Sequence, residues 1–325
     1  MSRRADMPRT RALGFSLIEL MIAMVLGLLL VAAAGSVFSS SARSYRQDER
    51  LAQLQDELHF TLAAIAQEVE LAGFWAETLN PASIALDASL GEPGCSPAQS
   101  PLWAYADRRT AIRGVDNASA AAAAAAFPCI DPGEFSARSD IVAIKRVAGK
   151  PAAPGAQGAL LRATPAAGLL LAGRVPRTPG PTERYWEYRP SIFYIRKHAV
   201  SAGDGIPTLC RKVLEGAVPR FASDCFATGI EDLQLEYGLD LDGDGATERF
   251  SSAPAPAEFG RVTQVRISVL GRAERPLAGY TNTKTYRLGN AIPRTPADGY
   301  FRRVASTTVA VRNPVSLRVL LGPAR

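Results

Sequence analysis

Apolar residues fill the chain almost without interruption from Phe15 to Phe38, FSLIELMIAMVLGLLLVAAAGSVF. A run of this length suits a bilayer's hydrocarbon core, which about 20 residues of helix cross. One ionisable residue breaks it, Glu19. A carboxylate at membrane depth costs about 2.5–3.5 kcal/mol on insertion scales, so such a residue usually has a partner or a task. The pattern then changes. Leu51, Leu54, Leu58, Leu62, Ile65, Val69 and Ala72 recur at intervals of three and four, which marks one face of a helix. No proline occurs between Phe15 and Pro81, and Gly73, followed by Phe74 and Trp75, suits a helix C-cap. The spacing predicts a single helix from Phe15 to near Gly73, about 90 Å long at 1.5 Å per residue. Its second half has one face to pack against a globular domain.

Beyond the helix, residues 80–183 are rich in Pro, Gly and Ala, and short strands are predicted at Asp140–Val147 and Ala159–Ala163. The tract Ala120–Ala126 reads as one or two helical turns or as a variable loop, an insertion without chemistry. Strand character strengthens at Arg184–His198, Ile230–Tyr237, Val262–Leu270, Thr283–Leu288 and Ser306–Val311, where aromatic and β-branched residues gather. Val262, Val265, Ile267 and Val269 come close to the period of two of a half-buried strand. The expected class is α+β: a long N-terminal helix, transmembrane in its first half, packed on an antiparallel β-sheet domain.

Composition adds three constraints. The formal charge is +6, but Arg3, Arg4, Arg9 and Arg11 against Asp6 give the first fourteen residues +3 and leave only +3 on the rest. That is a poor footprint for nucleic acid. The cysteines Cys95, Cys129, Cys210 and Cys225 form no CxxC pair, which argues against zinc or thioredoxin-like chemistry. An even count suits two disulfides in an oxidising compartment. Of three connectivities, the short-range one pairs Cys95 with Cys129 and Cys210 with Cys225; four buried thiols are the alternative. Catalytic signatures are missing. His59 and His198 form no metal-spaced pair, HExxH and GxSxG are absent, and Gly149-Lys150 lacks the upstream glycine of a phosphate loop. No enzyme is expected.

A secretory signal peptide fits the N-terminus poorly, because its apolar core is shorter and ends in a small-residue cleavage site. A plain anchor explains the length and the basic flank. It does not explain an acid five residues into the apolar run after a glycine. Gly14, Phe15, Ser16, Leu17, Ile18 and Glu19, behind a short basic leader, resemble the class III signal of type IV prepilins. The resemblance implies cleavage by a membrane peptidase between Gly14 and Phe15, N-methylation of Phe15, and Glu19 as the fifth mature residue. Phe15 would then carry an α-amino cation in apolar surroundings, and Glu19 is expected to lack a partner in its own segment. Pairing the two between neighbouring subunits would offset two desolvation costs and favour assembly. Many major pilins have proline where this chain has Ser36, after Gly35, which speaks against a major-subunit role. The helix with Gln53, Gly73 and Phe74 (ELHFTLAAIAQEVELAGF), YGLDLDGDGATERF (Tyr237–Phe250) and YFRRVASTTVAVRNP (Tyr300–Pro314) resemble PilW-type minor pilins. The last also resembles the end of J-type pseudopilins of type II secretion. On this resemblance residues 1–14 are the leader, 15–38 the transmembrane helix, 39–75 an amphipathic periplasmic helix and 76–325 a β-rich pilin domain. The implied function is a minor pilin that helps start or cap a filament, with its head in the periplasm and its stalk in the inner membrane. Its partners would be other pilins, the prepilin peptidase and the assembly platform. The alternatives are a J-type pseudopilin and a tip adhesin or DNA receptor.

The loop from Asp240 to Glu248 is the best ligand candidate. Asp240, Asp242 and Asp244 alternate before a glycine, a spacing of hard oxygens that suits Ca²⁺. An EF-hand would place a glutamate at position twelve, which is Ser251; Glu248, at position nine, is the available substitute. The competing reading is an Asp-Gly turn between strands. Arg302, Arg303 and Arg312 are a candidate basic strip, against the simpler reading of a solvated strand face. Asn117-Ala118-Ser119 matches a glycosylation sequon by chance.

Overall fold

The computed structural model describes residues 16–90, 102–105, 107–178, 180, 182–183 and 184–313. It begins with α1, Leu17–Glu70. This helix runs through two compact units, Met1–Leu51 and Ala52–Arg325. In the first unit, Leu17–Ser39 is a 23-residue span of mean hydropathy 2.6 with none of its surface buried against protein. By length and composition this segment of the helix is long and apolar enough to cross a membrane.

In the second unit the α1 stripe is consumed in a core. Leu54, Leu58, Leu62, Ile65, Val69 and Ala72 are all buried. The helix stops at Glu70, a turn before the predicted glycine. Gly73 takes φ +71° and its N–H donates to the Lys145 carbonyl, so the chain leaves the helix directly into the sheet region.

Among the described residues thirteen strands follow, interrupted by short helices at Leu102–Tyr105 (α2) and Ala120–Ala126 (α3). They are β1 Ile84–Leu86, β2 Ile112–Val115, β3 Ile141–Ile144, β4 Gln157–Ala163, β5 Gly168–Arg174, β6 Arg184–Glu187 and β7 Ser191–Arg196. Then come β8 Thr208–Glu215, β9 Arg220–Thr228, β10 Ile230–Leu239, β11 Arg249–Ser251, β12 Val262–Arg272 and β13 Arg302–Ala310. They form three sheets, ordered β1-β5-β4-β6, β2-β3-β7-β8-β9 and β11-β10-β12-β13. All pairs are antiparallel except β1 with β5.

The five-stranded sheet separates two cores. Val142, Ile144, Phe193 and Ile195 face α1 and the sheet of β10 and β12. Ile141, Ala143, Ile192 and Tyr194 face the other way, onto Trp75, Trp103, Phe127 and Phe135. Strands buried on both faces read as continuous apolar runs, as β3 (IVAI) does. The alanine tract is a helix because Ser119 caps it, accepting from the Ala122 N–H.

Two expectations change. The predicted strand Thr283–Leu288 is a strap without a ladder, with only the bridge of Tyr286 to Arg294 inside it. Its Tyr286 and Leu288 cover Leu270 on the outer face of β12. Arg184–His198 is two strands in different sheets, because Pro190 lacks the N–H that a continuing ladder needs.

Candidate functional site

Ser16 opens α1. Its Oγ accepts from the Glu19 N–H at 3.2 Å, and the Glu19 carboxylate accepts from the Ser16 N–H at 3.4 Å. This reciprocal pair is a capping box, in which two N–H groups that a helix start leaves unsatisfied each find a side chain. Glu19 therefore does have a partner in its own segment, which corrects the sequence expectation. The signal was present as Ser-x-x-Glu, a spacing of one turn. The carboxylate's contact lies near the long limit of a hydrogen bond, so a nearby cation would compete for it effectively. Gly14 and Phe15 lie outside the described residues.

The acidic loop joins β10 to β11. Tyr237–Leu239 pair with Arg249–Ser251, which makes it the turn of a hairpin. One ligand atom from each of Asp240, Asp242, Asp244 and Glu248 lies within 4.8 Å of all the others. Gly243 and Gly245 take φ +89° and +92°, a conformation that favours glycine and folds the loop tightly. Asp240, buried at the end of β10, accepts from the Gly243 and Gly245 N–H groups. Asp242 accepts from Asp244 N–H and Asp244 from Ala246 N–H. Glu248 folds back to accept from Leu241 N–H at 2.6 Å. Ser251 is held in the β11 ladder opposite Tyr237, away from the ligand position that the EF-hand numbering assigns it. The carboxylate spread suits a Ca²⁺ ion: at metal–oxygen distances of 2.3–2.6 Å, ligands on opposite sides of an ion stand about 4.6–5.2 Å apart.

The remaining candidates are structural. Arg302 is buried and pairs with Glu231 and Asp298, each at 2.6 Å, and Arg312 faces Glu70 at 3.6 Å. Of the three arginines in the supposed basic strip, two are thus neutralised within the fold. Cys210 and Cys225 are directly opposed on β8 and β9 and disulfide-bonded. Cys129 is also disulfide-bonded, whereas Cys95 lies outside the described residues. His59 is exposed on α1, and His198 is buried beside Glu134. Asn117 is part-buried and its side chain is engaged by Asp116 and Gln234, a poor substrate for glycosylation. A cleft lined by Arg109, Ile112 and Phe259 has room for about one water.

Together these features give an apolar N-terminal helix followed by a mixed, mainly antiparallel sheet domain. Residues 192–313 match the family described as Type IV Pilus-assembly protein W, and residues 9–35 match the prokaryotic N-terminal methylation motif. Together the two matches cover less than half of the chain. They include Gly14, Phe15, Glu19, the acidic loop and β13, while the resemblance at ELHFTLAAIAQEVELAGF falls between them. Among solved structures, the Type IV-like pilin TTHA1219 from Thermus thermophilus is similar at 14% identity and a TM-score of 0.37. The alignment covers 80% of this chain and 96% of that one. No curated protein matches the chain.

Proposed function

We infer that the chain is a minor pilin, a structural subunit that helps start or cap a type IV pilus. It would be held in the inner membrane by Leu17–Ser39, with its sheet domain in the periplasm. The observation that supports this most is the methylation-motif N-terminus, with Glu19 one turn into an unburied apolar helix, on a chain whose distal sheets match PilW. Cleavage after Gly14 would create the α-amino cation of Phe15, and methylation leaves it charged. In a filament core that cation on one subunit would displace the weak Ser16 contact of Glu19 on another. The exchange replaces a long hydrogen bond from a neutral amide with an ion pair, in which both partners are charged. The partners are then other pilins, the prepilin peptidase and the assembly platform. A J-type role in type II secretion would use the same chemistry and differ in phenotype, with lost protein export in place of lost piliation.

Glu19→Ala or Glu19→Val is expected to reduce incorporation at least tenfold while processing continues. Sheared filaments probed by antibody, and the mass of the N-terminal peptide, read the two separately. Normal incorporation of either variant rejects the pairing. An intact leader in wild-type cells rejects the pilin reading itself.

The acidic loop supports a second, independent proposal: that Asp240, Asp242, Asp244 and Glu248 hold Ca²⁺ and stiffen the β10–β11 hairpin. Four carboxylates this close repel one another, by about 1–4 kcal/mol per pair near a surface, and a divalent cation converts that repulsion to attraction. Ca²⁺ at a hundred times its dissociation constant should stabilise the detergent-solubilised chain by about 2.7 kcal/mol. Asp242→Asn with Asp244→Asn should abolish the gain. No heat on calorimetric titration and an unchanged melting temperature would remove the idea.

A further inference from the structure

β8 and β9 pair so that Cys210 stands opposite Cys225, Lys212 opposite Ser223 and Leu214 opposite Phe221. Side chains two apart on a strand share a face, so the three pairs line up on one side of the sheet. Tyr194 of β7, opposite Cys210, belongs to the same face. The middle pair is in direct contact, with Lys212 Nζ 2.6 Å from Ser223 Oγ. The Tyr194 hydroxyl is hydrogen-bonded to the same serine, and Lys212 Nζ lies 5.9 Å from the centre of the Tyr194 ring.

The three residues differ in their access to water. Ser223 is exposed, Lys212 half-buried and Tyr194 buried. Along the strands the pair is bounded on one side by the Cys210–Cys225 disulfide. On the other side are Leu214 and Phe221, half-buried and packed onto the second core. Apolar walls on both sides strip water from the lysine. Burial lowers the Lys212 pKa below the usual lysine range; Glu134 and Asp131, from the segment that follows α3, oppose the shift, and Arg196 of β7 adds to it. A serine hydroxyl is a weak nucleophile until an adjacent base takes its proton, and an amine whose charged form is disfavoured is such a base.

We propose that Ser223 is a nucleophilic modification site, with Lys212 as its base, which accepts a short apolar acyl group from an activated ester or thioester. The Lys212 amine takes the Oγ proton as Oγ bonds to the donor's carbonyl carbon. The tetrahedral adduct then expels its alkoxide or thiolate, which leaves with the proton from the Lys212 ammonium. The products are a Ser223 ester and a free alcohol or thiol, with no change in oxidation state. Leu214 and Phe221 give the acyl chain an apolar surface to lie on. One acyl group per chain is a modification and not turnover, so the inference does not depend on the pilin reading.

p-Nitrophenyl butyrate, given in limited amount to the full chain in detergent micelles, tests it by peptide mapping. The expected product is a hydroxylamine-labile ester on Ser223. It should form at least tenfold faster than on the exposed Ser201, since a positioned base contributes about 10²–10⁴-fold. Lys212→Arg keeps a cationic donor beside Ser223 but cannot take its proton, and should bring the rate down to that of Ser201. In the wild type the Ser223 rate should climb with pH and level off below about 10.4, the usual lysine value, whereas a serine without a base keeps climbing. Equal rates at Ser223 and Ser201 overturn the proposal, as does a wild-type rate in Lys212→Arg. A rate that still climbs beyond pH of about 10.4 overturns it without recourse to any variant. An amide on Lys212 in place of the ester overturns it too, because the amine would then be the nucleophile.

Discussion

Glu68→Ala should cost the globular unit about 3–5 kcal/mol, because it strands a buried cation. Glu68 lies on α1 and Arg146 just beyond β3, both more than nine-tenths buried. The carboxylate accepts from Arg146 Nε and Nη2, each at 2.6 Å, a bidentate fork in which both oxygens are used. A second guanidinium, Arg211, stands 3.8 Å away. With the carboxylate gone, the buried Arg146 keeps only its bond to the Val147 carbonyl and faces the cation of Arg211, which stays part-exposed and paired with Asp224. Urea unfolding of the detergent-solubilised chain, followed by the fluorescence of Trp75, Trp103 and Trp186, should show a midpoint lower by about 1 M or more. Glu68→Leu combined with Arg146→Leu should recover most of the loss, since no charge is then left buried. A single-variant loss under about 1 kcal/mol would mean that water reaches the pair, as it does in exposed ion pairs.

That pair also shows which parts of the fold were legible in the sequence. The α1 stripe from Leu54 to Ala72 was legible because a helix repeats its buried face every three or four residues, whatever it packs against. β12 was legible for the same local reason, with a period of two. Glu68 and Arg146, 78 positions apart, were not: nothing local marks a charge that will be buried by a distant strand. Arg302 misled in the same way, reading as part of a basic surface until Glu231, 71 positions away, neutralises it. β3 and β7 were recognisable as apolar runs, but runs buried on both faces carry no sign of which neighbours they pair with, so the three-sheet arrangement was hidden. Thr283–Leu288 has strand composition and is used as a strap, a case of tertiary packing overriding propensity. At the candidate sites, the aspartates of the acidic loop were legible from spacing alone. The return of Glu248 to the Leu241 N–H needed the hairpin's geometry.

The globular unit should lose stability as pH rises from about 4 to about 7, by up to about 1.4 kcal/mol per pH unit. The cause is Asp140, which precedes β3 and is almost wholly buried. Its two oxygens accept from the Asn117 and Leu235 N–H groups, each at 2.7 Å, which favours the carboxylate. Burial outweighs this and, with Asp116 and Asp232 adding negative charge nearby, pushes its pKa up to about 8. Asp232 is raised too, again chiefly by burial, although Gln234 and Arg294 oppose the shift. A carboxyl whose folded pKa exceeds its unfolded value near 3.9 holds a proton that the unfolded chain releases, so its contribution is complete below pH 4 and falls towards pH 8. Lys145 acts in the adjoining window with the opposite sign. Burial lowers its pKa to about 7, so the folded form is neutral where the unfolded lysine is still charged, and stability rises from about pH 7 towards 10.5. Below pH 4 the exposed Asp204, held down by four backbone N–H groups, withdraws its own contribution on protonation. The resulting profile has its maximum near pH 4–5 and its minimum near pH 7–8. Urea midpoints at half-unit intervals give it directly. Asp140→Asn should flatten the slope between pH 4 and 7 whatever it does to absolute stability, because the variant has no proton to release there. An unchanged slope in Asp140→Asn would assign the pH dependence elsewhere and leave Asp140 ionised in the fold, its charge balanced by the two backbone donors.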